Sequence, residues 1–243
     1  MRIALLCPTW NRPDMCLRMI ESVRKTEQHH IYCQIYLGVN ADDPKHDEYM
    51  NLADDHQYIF PVQCPEGMRV GAIWNKLHQF ALVHDVCESP GIFMLANDDL
   101  VFHTPGWDQH IVAAFEEDPL QCVWCDDRIN GEKHCAFPFV TQKWIDVVGH
   151  YVPEVFNFFR HDTWIYDIAI MANAQRYLGN AVIEHKHWSV TGEKDETTIK
   201  NRQANENARD LKIWNETQQQ RTDAAARIID ARQAAEKTSS QIG

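Results

Sequence analysis

Hydrophobic and polar positions along this chain fall into blocks of two periods. Arg2–Cys7 is a nearly continuous apolar run, the pattern of a strand buried on both faces, and Pro8-Thr9-Trp10-Asn11-Arg12-Pro13 reads as its end. A helix is expected from Met15 to Lys25, capped by Asp14, with Leu17, Ile20 and Val23 on one side. Ile31–Val39, rich in β-branched and aromatic residues, is a second strand, closed by Asn40-Ala41-Asp42-Asp43-Pro44. A short helix over 45–53 and a strand over 58–62 follow. A glycine-punctuated loop, Glu66–Gly71, leads into a helix over 72–83. Ile92–Ala96 is the next buried strand and stops at Asn97-Asp98-Asp99. A helix over 105–117, a strand over 121–125, an extended 137–140 and a helix over 142–148 halted by Gly149 complete the alternation.

Beyond residue 150 the pattern changes. Val155–His161 is an aromatic loop. Asp162 heads a helix expected to run to Tyr177 and to stop at Gly179, and Ala181–Ile183 is a strand ending in Glu184-His185-Lys186-His187. The two histidines are two apart on extended chain and so point the same way. Residues 200–236 are rich in Ala, Gln, Glu and Arg with few large apolar anchors, which reads as one or two amphipathic helices. The heptad seam through Leu211, Trp214, Gln218, Arg221, Ala225 and Ile228 is half polar, so a coiled coil is not supported. Such a tail wraps the body or meets a partner or a second copy.

Five strand–helix alternations in the first 125 residues imply a mainly parallel, doubly wound α/β sheet. Its strands would bring Thr9/Asn11, Asn40/Asp42/Asp43 and Asn97/Asp98/Asp99 to one rim, the place where ligands bind such sheets. Adjacent carboxylates repel unless a cation sits between them, so Asp98-Asp99 suggests a divalent ion with oxygen ligands. The plain alternative is turn chemistry.

Charge sharpens this picture. The chain carries a net −12 over 243 residues. From residue 189 onward nine basic and nine acidic residues cancel, so residues 1–188 hold the other 14 basic and 26 acidic residues of the chain's 23 and 35. Such a body repels polyanions, which argues against nonspecific nucleic-acid binding and makes a cation the natural bridge to any phosphate ligand. No apolar run reaches the ~20 residues of a membrane span. Met1–Cys7 is too short for a signal peptide, and the eight cysteines are scattered as reduced thiols would be, so a cytoplasmic protein is expected. Cys122, Cys125, His134 and Cys135 have zinc-like content. In a strand, however, Cys122 and Cys125 face opposite ways, and adjacent His134-Cys135 suits one tetrahedral ion poorly.

The ordered set Pro8-Thr9-Trp10-Asn11-Arg12, Asp42, Arg69/Gly71/Asn75, Asn97-Asp98-Asp99, Asp162 and His185/His187 resembles GT-A-fold glycosyltransferases, close to family 2. The resemblance covers about residues 1–190, with 1–125 as nucleotide-binding half, 126–190 as acceptor half and 191–243 as a helical extension. It implies that Pro8, Thr9, Asn11, Arg12, Asn40 and Asp42 hold the nucleoside of a nucleotide-sugar donor. Arg69, Gly71, Asn75, Asn97 and Asp98 would meet the rest of the donor. Asp99, with His185 and His187, would bind Mn²⁺ or Mg²⁺, and Asp162 would be the general base. The chain departs from the family pattern twice. Asn97 replaces the first acid of the Asp-x-Asp motif, and His161 stands where the family has an acidic partner for Asp162. The implied activity is metal-dependent sugar transfer to an acceptor hydroxyl of unread identity: glycan, protein, small molecule or modified DNA base. A nucleotidyltransferase on a similar sheet, or a non-catalytic nucleotide- or glycan-binding module, are the alternatives.

Overall fold

The computed structural model describes residues 1–28, 33–52, 58–84, 91–187 and 206–242. Its strands are β1 (Ile3–Thr9), β2 (Cys33–Asn40), β3 (Ile59–Cys64), β4 (Ile92–Leu95), β5 (Leu100–Phe102), β6 (Cys122–Asp126), β7 (Phe139–Thr141) and β8 (Gln175–His185). The helices are α1 (Pro13–Thr26), α2 (His46–Met50), α3 (Val70–His84), α4 (Trp107–Glu117), α5 (Gln142–Val148), α6 (His161–Met171), α7 (Glu206–Glu216) and α8 (Gln218–Ile242). The strands form one sheet in the order β3-β2-β1-β4-β7-β6-β8-β5.

The sheet is mainly parallel, as the alternation requires. β1 pairs in parallel with β2 and β4, β2 with β3, and β6 with β8. β7 runs antiparallel between β4 and β6, and β5 runs antiparallel to β8. Six strands therefore point the same way, and their carboxyl ends share one rim. Both faces are covered. Ile3, Leu5 and Cys7 of β1 pack on the side of α1 and α4, and Ala4 and Leu6 on the side of α3, α5 and α6. This is the two-sided burial that an unbroken apolar run signals.

Three expectations are corrected. β1 does not end at Cys7 but continues through Pro8, opposite Gly38, to Thr9. Pairing with β4 stops at Leu6, so the missing N–H of Pro8 interrupts no ladder on that side. Asp14 does not cap α1. Arg12 holds that position without a side-chain cap bond, Pro13 opens the helix, and Asp14 lies in its first turn. The helix starting near Asp162 does not reach Tyr177. It ends at Met171, where Asn173 turns the chain with φ +48°, and Gln175–His185 is a strand that carries Gly179 inside an irregularity, since Leu178 pairs with Cys125 of β6 but Val182 with the next residue, Asp126. Asn tolerates that left-handed turn, and the polar stretch Gln175–Asn180 hides the strand period.

The tail forms two helices, as read, and they close over the second half of the sheet. α8 packs on α5 and α6, with Ala224, Ala225 and Ile228 in the core. Arg221 is buried. Its guanidinium lies 3.5 Å from the Trp214 ring centre, and its Nε donates to Asp167 Oδ2 at 2.6 Å.

Candidate active site

The rim gathers the ends of β1, β2, β4, β6 and β8, and short polar contacts knit them together. Thr9 Oγ1 donates to Asp98 Oδ2 at 2.7 Å and lies 2.9 Å from the Tyr49 hydroxyl. That hydroxyl accepts the Arg12 N–H at 2.7 Å. Arg12 Nη2 stands 3.0 Å from Asp98 Oδ1, and Asp98 is fully buried. Asp98 thus ties the end of β1 to the exit of β4. Asn11, at φ +53°, donates its N–H to Asp43 Oδ2 at 2.9 Å, and Asn40 Nδ2 donates to Met68 O at 3.2 Å. Asp42 is exposed and accepts the Gly67 N–H at 3.3 Å, and Arg69 is exposed beside that loop. Pro8, Thr9, Asn11, Arg12, Asn40 and Asp42 are therefore together at one end of the sheet.

Asp99 is placed differently from its neighbour. Its Oδ2 lies 3.2 Å from His185 Nε2, and its carbonyl accepts the Lys186 N–H at 2.9 Å. The cause is strand register, since Leu100 of β5 sits opposite His185 of β8. The other carboxylate oxygen, Oδ1, is buried without a hydrogen-bond partner. Burial pushes the Asp99 carboxyl up, but the His185 hydrogen bond and the charges of His185, Arg12 and His187 outweigh it and hold it below its ordinary value. The His187 ring centre is 4.9 Å from that of His185, and Phe137 packs edge-on against His185 at 4.8 Å. Among the described residues no three His, Cys, Asp or Glu side chains already surround one point. Asp99 and His185 converge as a pair with His187 beside them. A buried open oxygen next to imidazole nitrogens fits a divalent cation. Asn97 is half-buried at the strand exit.

The acceptor-side candidates lie at the start of α6. Arg160 takes the cap position at φ +78°, and His161 and Asp162 open the helix. Asp162 Oδ2 lies 3.2 Å from His134 Nε2, and both side chains are about 30% exposed. Sequence reasoning weighed His134 only as a zinc ligand, and nothing in a 28-residue separation signals this pairing. His161, by contrast, is buried against Trp74 and Phe156. Burial drives its pKa down to about 4. Gly71 exists to admit that ring, because a Cβ there would stand 2.3 Å from His161 Nε2. Asn75 clamps the following loop, donating to Val152 O at 3.0 Å and accepting the Val152 N–H at 3.2 Å. Gly71 and Asn75 thus face the 150–161 segment rather than the rim at the ends of β1 and β2. A crevice of about 550 Å³ between α3 and α5 includes Asn75 but neither Asp99 nor His185, so the case rests on the strand ends.

The zinc-like set does not assemble. Cys122 and Cys135 lie Sγ to Sγ at 3.8 Å in one core, while Cys125 faces the other.

The fold has counterparts among solved structures. A mannosyltransferase from Pyrobaculum calidifontis in complex with GDP-Man and Mn²⁺ superposes with a TM-score of 0.57 at 12% identity, over 76% of this chain and 56% of that one. S. aureus TarS gives 0.60 at 10% identity over 77% and 37%. Its 1–349 fragment with UDP-GlcNAc gives 0.58 at 10% identity over 77% and 59%. The chain thus spans well under two thirds of the proteins it matches. No protein-family model and no curated protein matches the sequence. The fold is that of a GT-A-like glycosyltransferase.

Proposed function

We propose that this chain is a metal-dependent glycosyltransferase that moves a sugar from a nucleoside-diphosphate sugar to an acceptor hydroxyl. One observation carries the reading: Asp99, with a buried open oxygen and His185 at 3.2 Å, sits at the carboxyl-end rim of a GT-A-like sheet. The structural neighbours solved with GDP-Man and Mn²⁺ or with UDP-GlcNAc support the donor class.

Asp99, His185 and His187 would hold the cation. Imidazole in the set favours Mn²⁺ over Mg²⁺, which prefers oxygen ligands throughout. When bound, the ion supplies positive charge for the leaving diphosphate, which this acidic body otherwise lacks. Thr9, Asn11, Arg12, Asn40 and Asp42 shape the nucleoside end. Asp98 keeps Arg12 and Thr9 in place. Asp162 stands on the acceptor side, where a proton must leave the attacking hydroxyl. Among the described residues no helix is long and apolar enough to cross a membrane. The seven described cysteines are free and buried, which supports a reducing, cytoplasmic compartment.

Thermal-shift titration with UDP- and GDP-sugars, with and without Mn²⁺, tests this. A matching donor should stabilise the protein by about 2.7 kcal/mol at a hundredfold excess over its Kd, and only with the ion. Asp99→Ala should abolish that shift. No shift with any donor would overturn the reading, and a shift without release of UDP or GDP would make the chain a binding module.

A further inference from the structure

We propose that His134 takes the proton from the attacking hydroxyl and that Asp162 is its positioning carboxylate. This inference rests on the glycosyltransferase reading and refines its acceptor side.

The first support is geometric. His134 Nε2 and Asp162 Oδ2 are 3.2 Å apart. Asp162 is an acceptor, so it fixes the proton on Nε2 and leaves the Nδ1 lone pair for an incoming proton. The second is placement. His134 lies on the loop leaving β6 at the shared rim, three residues before Phe137, which packs on His185. The loop is held on both sides of the histidine. Trp124 Nε1 donates to Gly131 O at 3.1 Å, the Tyr166 hydroxyl donates to Lys133 O at 3.4 Å, and Cys135 is buried. The Tyr166 ring stands edge-on to the imidazole at 5.4 Å. The third is chemical. Both Asp162 oxygens are already engaged, Oδ2 with His134 and Oδ1 with the Thr163 hydroxyl at 3.2 Å, which leaves neither a ready base. An imidazole oriented by a carboxylate is a better one near neutral pH. The groups around the ring agree. The Asp162 hydrogen bond raises the His134 pKa, burial opposes it, the charges of Asp162 and Asp127 add to the rise, and Arg160 works against it.

The step balances. The acceptor O–H proton passes to His134 Nδ1, and the imidazolium is neutralised by Asp162. The oxygen lone pair forms the bond to the anomeric carbon. The bond from that carbon to the phosphate oxygen breaks, and its electron pair leaves with the nucleoside diphosphate.

UDP or GDP release from a panel of UDP- and GDP-sugars with Mn²⁺, followed against pH, tests this on the full chain. His134→Gln should lower kcat by about 10²-fold or more, with the donor KM changed less than about threefold, and imidazole should partly restore turnover to His134→Ala. Asp162→Asn should lower kcat and move the acidic limb of the profile to lower pH, because it removes the main cause of the raised His134 pKa. If wild type releases no nucleotide from any donor, the glycosyltransferase reading falls and takes this inference with it. If wild type is active while His134→Gln matches it, or if Asp162→Asn is dead and His134→Gln is not, only the inference is overturned. Should His134→Gln fold poorly by its melting curve, an acidic limb unmoved in Asp162→Asn overturns it instead.

Discussion

The two halves of the rim hold their carboxylates in different ways. At the ends of β1, β2 and β4 the polar groups contact one another. Thr9, Arg12, Tyr49 and Asp98 form one cluster, and Asp99 reaches across to His185. In the second half, the conspicuous acids mostly serve loop backbone. Asp127 Oδ1 accepts the N–H groups of Ile129, Asn130 and Gly131 at 3.0, 2.6 and 3.1 Å. Asp210, from the tail, accepts those of Asn157, Phe158 and Phe159 at 2.9, 3.0 and 2.8 Å. Parallel strands deliver side chains to the rim by register alone, whereas a loop leaves N–H groups that need acceptors. An acid whose oxygens are taken up by loop N–H groups is therefore weaker evidence of ligand chemistry than one that, like Asp99, keeps a buried oxygen open.

Asp99→Ala probes that contrast most strongly. On the proposed function it should lower donor turnover by about 10³-fold, because the group meeting the cation is lost. The melting temperature should fall less than in Asp98→Ala, since the contact to His185 is lost but a buried oxygen without a hydrogen-bond partner goes with it. Asp98→Ala should cost more stability, and turnover as well, because Asp98 keeps Arg12 and Thr9 in place. It leaves Arg12 facing a fully buried gap, and breaking such a pair costs about 3 kcal/mol. Chemical denaturation reads that loss. Equal effects of the two substitutions on stability would erase the distinction.

A second contrast lies in titration. His134 has its pKa raised by Asp162, while His161, only 27 residues later in the chain, is 1% exposed and held neutral, its pKa down from 6.5 to about 4. A histidine with a lowered pKa binds its proton more readily when unfolded. Its neutral burial is therefore without penalty above 6.5, and stability is lost as pH falls from 6.5 towards 4. The gap corresponds to about 3 kcal/mol at 1.36 kcal/mol per unit. Denaturation midpoints at pH 7 and pH 5 should show the loss. A His161→Phe variant should flatten part of it, with His78 and His150, also lowered by burial, supplying the remainder.

What the sequence disclosed follows the same division. The buried strands, the rim residues and the helix stop at Gly149 were legible because apolar runs and turn residues report local structure directly. The extent of β8 was not, because its first half is polar and borders a sheet edge rather than a core. The pairing of His134 with Asp162 was hidden because it depends on a loop meeting a distant helix start, and Gly71 reads as a donor-binding glycine until His161 is seen packed against it. The tail was legible as helix but not as part of the site's support. Nothing in the spacing of Asp210 announces three bonds to a loop some fifty residues earlier.

Asp210 gives the smallest effect expected and the sharpest test of whether the tail belongs to the active site. Its carboxylate is fully buried and fixes the three residues just before Arg160, His161 and Asp162. Arg209 Nη1 contacts Asp210 Oδ1 at 3.1 Å, and Arg160 Nη2 donates to Asn207 Oδ1 at 3.3 Å, so α7 grips both sides of the turn into α6. Asp210→Asn turns one acceptor into a donor facing N–H groups, a loss of about 2 kcal/mol. A merely structural role would lower stability and leave the turnover of folded protein intact. If α7 sets the angle of α6, kcat should fall severalfold while donor KM and the Mn²⁺-dependent thermal shift stay near wild type, because Asp99 is held by His185 and Asp98 by Thr9 and Arg12, not by the turn that Asp210 fixes. A loss confined to donor KM would place the tail on the other half of the rim.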